Sequence, residues 1–267
     1  MRIPFIIAVV MTLASLPTWA QVSAPLPVMV TPTTANGCLP DSICPSGNWA
    51  IDFDDEFNGS SVDWSKWYQA PVCGISMGDS NNNVTLITVS GGTVHIHGYW
   101  NNSTCSNRTQ VPGQALDTIQ SYGPGYFEAR MQEDPQGGTH GAFWTLGGNG
   151  NCVGQMPAGF EGDIDEFYSG AGSGSTNVHW GGYSGCHQST GVSISETPNV
   201  FHIYGMLYDA VNGVTFYLDG SPGLHVNQGC SASTPCAVPL GIEFGESGGD
   251  GTGPGLQVDW VRHYVAH

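Results

Sequence analysis

The chain has 267 residues, and 22 acidic side chains against five Lys and Arg give it a formal net charge of −17 at pH 7. A surface this negative repels nucleic acid, anionic membranes and strongly sulfated polysaccharides, which favours a neutral ligand. The length fits one folded domain that buries a large core.

The first twenty residues are typical of a secretory signal peptide. They contain one early basic residue, Arg2, followed by an apolar run and small residues before Ala20. This pattern predicts cleavage after Ala20. No later stretch reaches the roughly 18 apolar residues of a membrane-spanning helix. The sequence therefore predicts a secreted, extracellular protein that needs no membrane partner.

Residues 21–45 are rich in Pro and Thr and predict a linker or extended arm, which leaves residues 46–267 as the folded domain. Eight cysteines after an export signal favour disulfides over metal thiolates. Their pairing cannot be read from sequence, and we predict neighbouring pairs because these close local loops: Cys38–Cys44, Cys73–Cys105, Cys152–Cys186 and Cys230–Cys236.

Apolar residues come mostly in short alternating runs separated by turn residues. Such runs occupy residues 83–100, 125–132, 214–220 and 256–265, and alternation with a period of two is typical of half-buried strands. No segment keeps a 3.6-residue period over three turns. The pattern predicts an all-β sandwich or barrel.

The segment 159–168, "GFEGDIDEFY", concentrates carboxylates in a chain that has few charged residues. In a regular strand Glu161, Asp163 and Asp165 share one face and Glu166 points to the other. A β-bulge between 163 and 166 would instead bring Glu166 beside Glu161 and Asp163. Two close carboxyl groups are the apparatus of retaining glycoside hydrolysis. A calcium loop or a solvated acidic strand is the alternative interpretation of the same residues.

The segment "EGDIDE" (161–166) resembles the E-x-D-x-x-E motif of glycoside hydrolase family 16 in its bulged form. Further segments that are similar to the family occur in its order: 52–67, 125–132, 141–148, 177–182, 201–220 and 258–265. The resemblance implies a concanavalin-like jelly-roll β-sandwich with a concave substrate cleft. It implies Glu161 as the nucleophile, Asp163 as its helper and Glu166 as the acid/base. Family members act on β-linked glucans and galactans, and some are transglycosylases.

The sequence departs from the family pattern at several positions. His140 and Gly141 stand where Trp-Pro is common, and Gly162 stands where an aliphatic residue is usual. Asp165 is an unusual charge at the bulge. These differences prevent the transfer of one specific substrate.

Sugar-binding candidates are aromatic and polar side chains near the acidic segment, because aromatic rings stack on sugar faces. Trp180, next to His179 and a glycine run, is favoured for the cleft, whereas Trp144 sits in a tight apolar strand typical of a core. The remaining candidates are Trp100, His140, His179, and the pair Glu128 and Arg130. Glu128 and Arg130 share a strand face that lines the cleft in the resembled family.

No cofactor is required by the predicted chemistry, although the resemblance implies a structural calcium ion at Asp259. The pair His95 and His97 lacks an evident third metal ligand, so a structural role is favoured. "GESGG" (245–249) fits the elbow of serine hydrolases around Ser247, but the glycines and proline that follow cannot form the helix that an elbow requires.

Together these observations predict a monomeric, secreted, retaining endo-glycosidase that acts on a neutral polysaccharide, β-1,3-glucan or mixed β-1,3/1,4-glucan. The alternatives are a galactan hydrolase or transglycosylase of the same family, a carbohydrate-recognition module without turnover, and a serine hydrolase.

Overall fold

The computed structural model describes residues 34–72, 87–98, 113–148, 159–168, 173–181, 187–197, 199–248 and 253–267. These residues form fifteen strands: β1 (Trp49–Asp55), β2 (Trp67–Val72), β3 (Ile87–Ser90), β4 (Thr93–Ile96), β5 (Gly113–Thr118), β6 (Gly125–Gln132), β7 (Thr139–Gly147), β8 (Phe160–Tyr168), β9 (Gly174–Trp180), β10 (Gln188–Ile194), β11 (His202–Asp209), β12 (Gly213–Leu218), β13 (Ser221–Val226), β14 (Leu240–Gly248) and β15 (Leu256–Ala266). Within the described ranges, no helix has the length and hydropathy needed to cross a membrane.

The strands form two antiparallel sheets. The first sheet has the order β13-β12-β11-β6-β15-β4-β3, with β1 paired to β15. The second sheet has the order β10-β9-β8-β7-β14-β5-β2. The carboxylate-rich strand β8 therefore lies inside the second sheet, hydrogen-bonded on both sides by β7 and β9.

The core lies between the two sheets. Strand β6 of the first sheet contributes Phe127 and Met131, and strands β7 and β14 of the second contribute Phe143 and Phe244, all fully buried. Because successive strand residues point to opposite faces, the alternating runs leave a second set of side chains on the outer face of each sheet. The predicted all-β sandwich is confirmed.

Part of the predicted N-terminal arm packs on the outer face of the first sheet. Cys38 is buried against Tyr126 and Tyr264, and the backbone amide of Ile43 donates to the carboxylate of Glu128 at 3.1 Å. From Thr34 onward the described part of this arm is thus in contact with the domain.

Two of the four predicted disulfides are present, Cys38–Cys44 and Cys230–Cys236. The predicted pairs Cys73–Cys105 and Cys152–Cys186, like the predicted signal peptide and Trp100, lie outside the described residues.

Candidate active site

A β-bulge in β8 brings three carboxylates onto one face of the second sheet. Opposite β9 the register shifts between Asp163 and Glu166, and opposite β7 the extra residue falls between Asp163 and Asp165. The predicted bulge is therefore present. Ile164 is turned into the core, while Glu161, Asp163 and Glu166 point to the outer face.

We call this outer face of the second sheet the carboxylate face. It is formed by outward-pointing side chains that alternate with core residues on β5, β7, β8, β9 and β14. Its members are Asp117, His140, Trp144, Glu161, Asp163, Glu166, Asn177, His179 and Glu243. The Lys and Arg side chains of the described residues make their ion pairs away from this face. They are Lys66, Arg130 and Arg262.

Glu166 is contacted from both neighbouring strands. The side-chain amide of Asn177 on β9 donates to its Oε2, and Nε2 of His140 on β7 lies 3.3 Å from its Oε1. The His140 ring is in turn stacked on Tyr168 with centroids 4.0 Å apart. Burial alone would raise the pKa of Glu166, but the contacts with His140 and Asn177 outweigh it and hold this pKa below its ordinary value.

Asp163, between the two glutamates, is paired with a histidine. Nε2 of His179 lies 3.0 Å from Oδ2 of Asp163, and Nδ1 of His179 is hydrogen-bonded to His187 at 2.8 Å. The contact with Asp163 raises the pKa of His179, whereas burial raises the pKa of Asp163. Asp163 is thus oriented by a histidine pair on the β9 side.

Glu161 holds its proton more tightly than an ordinary glutamate. Burial and then the nearby charge of Asp163 raise its pKa to about 7, and Glu166 adds to the effect. Its surroundings thus favour the protonated form of Glu161, whereas the contacts of Glu166 with His140 and Asn177 favour the ionised form of Glu166.

Asp165 points to the opposite side of β8, into the interior. It lies beside Glu133 and Glu196, and we call these three residues the buried acid cluster. All three are buried. Apart from each other, the carboxylate groups of Asp165 and Glu133 have no hydrogen-bond partner among the described residues. The pKa of Glu133 is raised to about 8, by burial first. Asp165 is therefore excluded from the carboxylate face.

The two tryptophan candidates lie on opposite faces of the second sheet. Trp180 packs against the hydrophobic core, because it pairs with Phe160 and shares the inward face of β9 with Val178. The prediction that Trp180 lines the cleft is wrong. Trp144 is the residue on the carboxylate face, directly opposite Asp163 in the register of β7 and β8.

Glu128 and Arg130 do share a strand face, but it belongs to the other sheet. They lie on β6, and that face is the outer side of the first sheet. Glu128 is buried beneath Ile43, and Arg130 is paired with Asp259 and lies over the ring of Phe201. The prediction that they line the substrate cleft is wrong.

The remaining candidates have structural surroundings. The carboxylate of Asp259 is paired with the guanidinium of Arg130, and the structural calcium ion at this residue stays a prediction. No group of three His, Cys, Asp or Glu side chains within the described residues could hold a metal ion. His95 and His97 are stacked on each other. Ser247 lies within strand β14, where it pairs with Gly113 and His140, and not at the sharp turn that a nucleophile elbow requires.

Sequence reasoning missed Asp117 and Glu243, which are cross-strand partners on β5 and β14. Burial raises the pKa of Asp117 to about 6, and burial with the charge of Asp117 raises that of Glu243 to about 8. No local motif marks them, since the two residues are far apart in the sequence.

Comparisons with known proteins agree with this geometry. Residues 80–262 match the family described as glycosyl hydrolases family 16. The residues matched by the family include β8 with its bulge and both neighbouring strands. A search of curated protein sequences finds no match.

Solved structures share the fold at low identity. The laminarinase catalytic domain from Thermotoga maritima is 21% identical, with a TM-score of 0.59, over 82% of this chain and 99% of that one. The endo-β-1,3-glucanase from Pyrococcus furiosus is 22% identical, with a TM-score of 0.57, over 82% and 96%. The GlcNAcα1-4Gal-releasing endo-β-galactosidase from Clostridium perfringens is 17% identical, with a TM-score of 0.63, over 87% and 65%. The predicted jelly-roll fold is confirmed, and the chain belongs to glycosyl hydrolases family 16 and is a glycoside hydrolase.

Proposed function

We propose that this chain is a secreted, monomeric, retaining endo-glycosidase that hydrolyses β-1,3-glucan or mixed β-1,3/1,4-glucan. The observation that carries the proposal is the bulge of β8, which aligns Glu161, Asp163 and Glu166 on a face without Lys or Arg among the described residues. A neutral polysaccharide suits that face because it brings no charge to be repelled. Two disulfides agree with an oxidising, extracytoplasmic compartment.

The mechanism follows from the two glutamates. A carboxylate oxygen of Glu161 attacks the anomeric carbon, while the carboxyl of Glu166 gives its proton to the departing glycosidic oxygen. Glu166 then takes a proton from water, and the resulting hydroxide displaces Glu161 from the sugar. Two displacements at one carbon retain its configuration. Asp163, held by His179, accepts hydrogen bonds between the two glutamates and limits the movement of Glu161.

Substrate binding must change the protonation of the two glutamates. The surroundings of the unliganded protein raise the pKa of Glu161 and lower that of Glu166, whereas the first step needs a protonated Glu166 and an ionised Glu161. A bound sugar excludes water from Glu166, and its glycosidic oxygen accepts a hydrogen bond only from the protonated form. Both effects raise the pKa of Glu166. The exchanged assignment, with Glu166 as nucleophile and Glu161 as acid, is the alternative that the pKa directions of the unliganded protein favour.

Product release from laminarin, barley β-glucan and agarose tests the proposed substrate. We expect reducing sugar from laminarin or barley β-glucan, and a loss of at least about 10³-fold in Glu161→Gln because the nucleophile is gone. Agarose is included because the structural relatives include an endo-β-galactosidase. Release from agarose alone would replace the glucan by a galactan. Binding by both proteins without turnover of any polymer would point to a recognition module.

The two tryptophans should respond differently to truncation. Trp144→Ala removes a ring from the carboxylate face, so we expect KM for the cleaved polymer to rise about tenfold with little change in stability. Trp180→Ala leaves a cavity beside the core, and we expect a loss of about 2 kcal/mol in the free energy of unfolding. Urea denaturation and initial rates separate the two effects. A large stability loss in Trp144→Ala with unchanged KM would contradict the assignment.

A further inference from the structure

The ring of His140 is held in place by its neighbours across the second sheet. His140 is the direct cross-strand partner of Tyr168 on β8 and of Ser247 on β14. Its ring is stacked on the Tyr168 ring, with centroids 4.0 Å apart and an angle of 5° between the planes. Cross-strand partners stack in this way because their side chains leave the same face of the sheet. The imidazole is therefore oriented before any substrate arrives.

In this orientation one ring nitrogen of His140 faces Glu166. Nε2 of His140 lies 3.3 Å from Oε1 of Glu166 and has no other hydrogen-bond partner among the described residues. The two side chains are 31% and 20% exposed, so the contact is largely shielded from water. The side-chain amide of Asn177 donates to the other oxygen, Oε2. Each carboxylate oxygen of Glu166 thus faces a group on one of the two neighbouring strands.

The charges around Glu166 act in opposite directions. The acidic groups that interact with it by charge from β8 are Glu161, Asp163, Asp165 and Tyr168. Burial raises the pKa of Glu166, and like charges work in the same direction. The pKa is nevertheless lowered, by the hydrogen bond and charge of His140 first and then by Asn177 and His179. His140 is therefore the main group that stabilises the ionised form of Glu166.

We propose that His140 is a positioning residue, which holds Glu166 in the ionised form that the second displacement requires, and is not a platform for a sugar. In that step the oxygen of water bonds to the anomeric carbon, the bond from this carbon to Glu161 breaks, and a proton of the water passes to Glu166. An N–H at Nε2 of His140 donates to the Glu166 carboxylate until this proton arrives. The inference rests on the proposed function, in which Glu166 is the acid and then the base.

Two substitutions separate a positioning role from a sugar platform. His140→Phe keeps a ring on Tyr168 and removes the N–H, whereas His140→Gln keeps an N–H donor and removes the ring. A positioning role predicts that the phenylalanine variant is impaired and that the glutamine variant stays close to the wild-type chain. A sugar platform predicts the reverse order, with the loss in KM. The matched control is His225→Phe, because His225 is exposed on β13 of the other sheet.

The pKa of Glu166 is measured by carbon-13 NMR titration of the side-chain carboxyls in the unliganded proteins, with Glu166→Gln to assign the resonance. We expect His140→Phe to raise this pKa by about one pH unit, His140→Gln to restore most of the shift, and His225→Phe to leave it unchanged. Thermal unfolding establishes that each variant is folded.

The second displacement is measured separately. An activated 2-deoxy-2-fluoro aryl β-glycoside of a laminari-oligosaccharide accumulates the glycosyl intermediate on Glu161, and the recovery of activity follows its hydrolysis. In His140→Phe the acidic limb of the recovery rate should move up by about one pH unit, because Glu166 must be ionised to act as the base.

An unchanged pKa of Glu166 in His140→Phe would overturn the positioning role. So would an unmoved recovery limb, or a glutamine variant that is more impaired than the phenylalanine variant. The carboxyl titration does not depend on turnover. If the wild-type chain neither hydrolyses laminarin nor accumulates the intermediate, the proposed function fails, and the titration alone decides whether His140 holds Glu166 in the ionised form.

Discussion

Removing the side chains of Glu161 and Glu166 in turn should yield products of opposite anomeric configuration when azide is present. The substrate is an activated aryl β-glycoside of a laminari-oligosaccharide, whose phenolate departs without help from an acid. In Glu166→Ala the covalent intermediate still forms, and azide attacks it to give the β-glycosyl azide. In Glu161→Ala azide enters the vacated space and displaces the phenolate directly, which gives the α-glycosyl azide.

Without azide both variants should lose at least about 10³-fold in turnover of the natural polymer, because each displacement needs one of the two groups. NMR of the isolated azides assigns the configurations. The α-azide from Glu166→Ala and the β-azide from Glu161→Ala would exchange the roles of the two glutamates. The pKa directions in the unliganded protein favour that exchanged assignment. The control is Asp165→Asn, which should retain the wild-type product because Asp165 faces the interior.

The sequence was sufficient to predict how strand β8 presents its carboxylates. Parity along 159–168, together with the resemblance to a bulged motif, placed Glu161, Asp163 and Glu166 on one face, as the structure has them. The unusual Gly162 has a steric reason that sequence could not supply. A Cβ at this position would lie 2.8 Å from Sδ of Met206, a residue of β11 in the opposite sheet. Close packing between the sheets therefore accounts for the glycine.

Long-range strand pairing limits what could be predicted about the rest of the site. The parity of Glu128 and Arg130 was right, but which outer face β6 presents depends on its pairing with β11 and β15. The side-by-side position of Asp117 and Glu243 likewise depends on a register between strands distant in sequence. Trp180 is different. Val178 and Trp180 are apolar at alternate positions, a local signal for the inward face that the neighbouring glycines obscured.

The buried acid cluster should make the protein most stable at acidic pH. Burial and mutual repulsion raise the pKa of Glu133, Asp165 and Glu196 above their ordinary values. The folded chain therefore binds more protons than the unfolded chain once pH exceeds about 4, where free carboxyls ionise. Under this linkage the free energy of unfolding falls as pH rises, from about pH 4 through about pH 8, the value for Glu133.

Other buried carboxyls add to the same trend, and a few groups oppose it. Glu246 shares the trend, with a pKa raised to about 8, by burial first. His263 opposes it, because burial lowers its pKa to about 4 and the stability it confers is lost as pH falls below about 6.5. The pKa values of Asp41 and Glu166 are also lowered, so their contribution is lost in acid. The several raised carboxyls outweigh these groups above about pH 5.

We expect the free energy of unfolding to drop by a few kcal/mol between about pH 5 and pH 8, which corresponds to a fall in Tm of about 10 °C. Asp165→Asn should flatten this dependence and raise Tm at pH 8, because the amide keeps the shape of the side chain and cannot ionise. Asp54→Asn, at an exposed position, should leave the profile unchanged. Thermal unfolding followed by circular dichroism across this range makes the comparison.

A Tm that rises with pH in the wild-type chain, or an Asp165→Asn profile parallel to it, would contradict the prediction.

The physical basis of this prediction is specific to the position of Asp165. Asp165 follows the bulge residue of β8, so the backbone shift that turns Glu166 outward leaves Asp165 facing Glu133 and Glu196. At weakly acidic pH a shared proton lets these carboxyls hydrogen-bond one another, whereas at alkaline pH their charges repel directly beneath β8. Activity should therefore decline reversibly at alkaline pH before global unfolding, and Asp165→Asn should delay that decline.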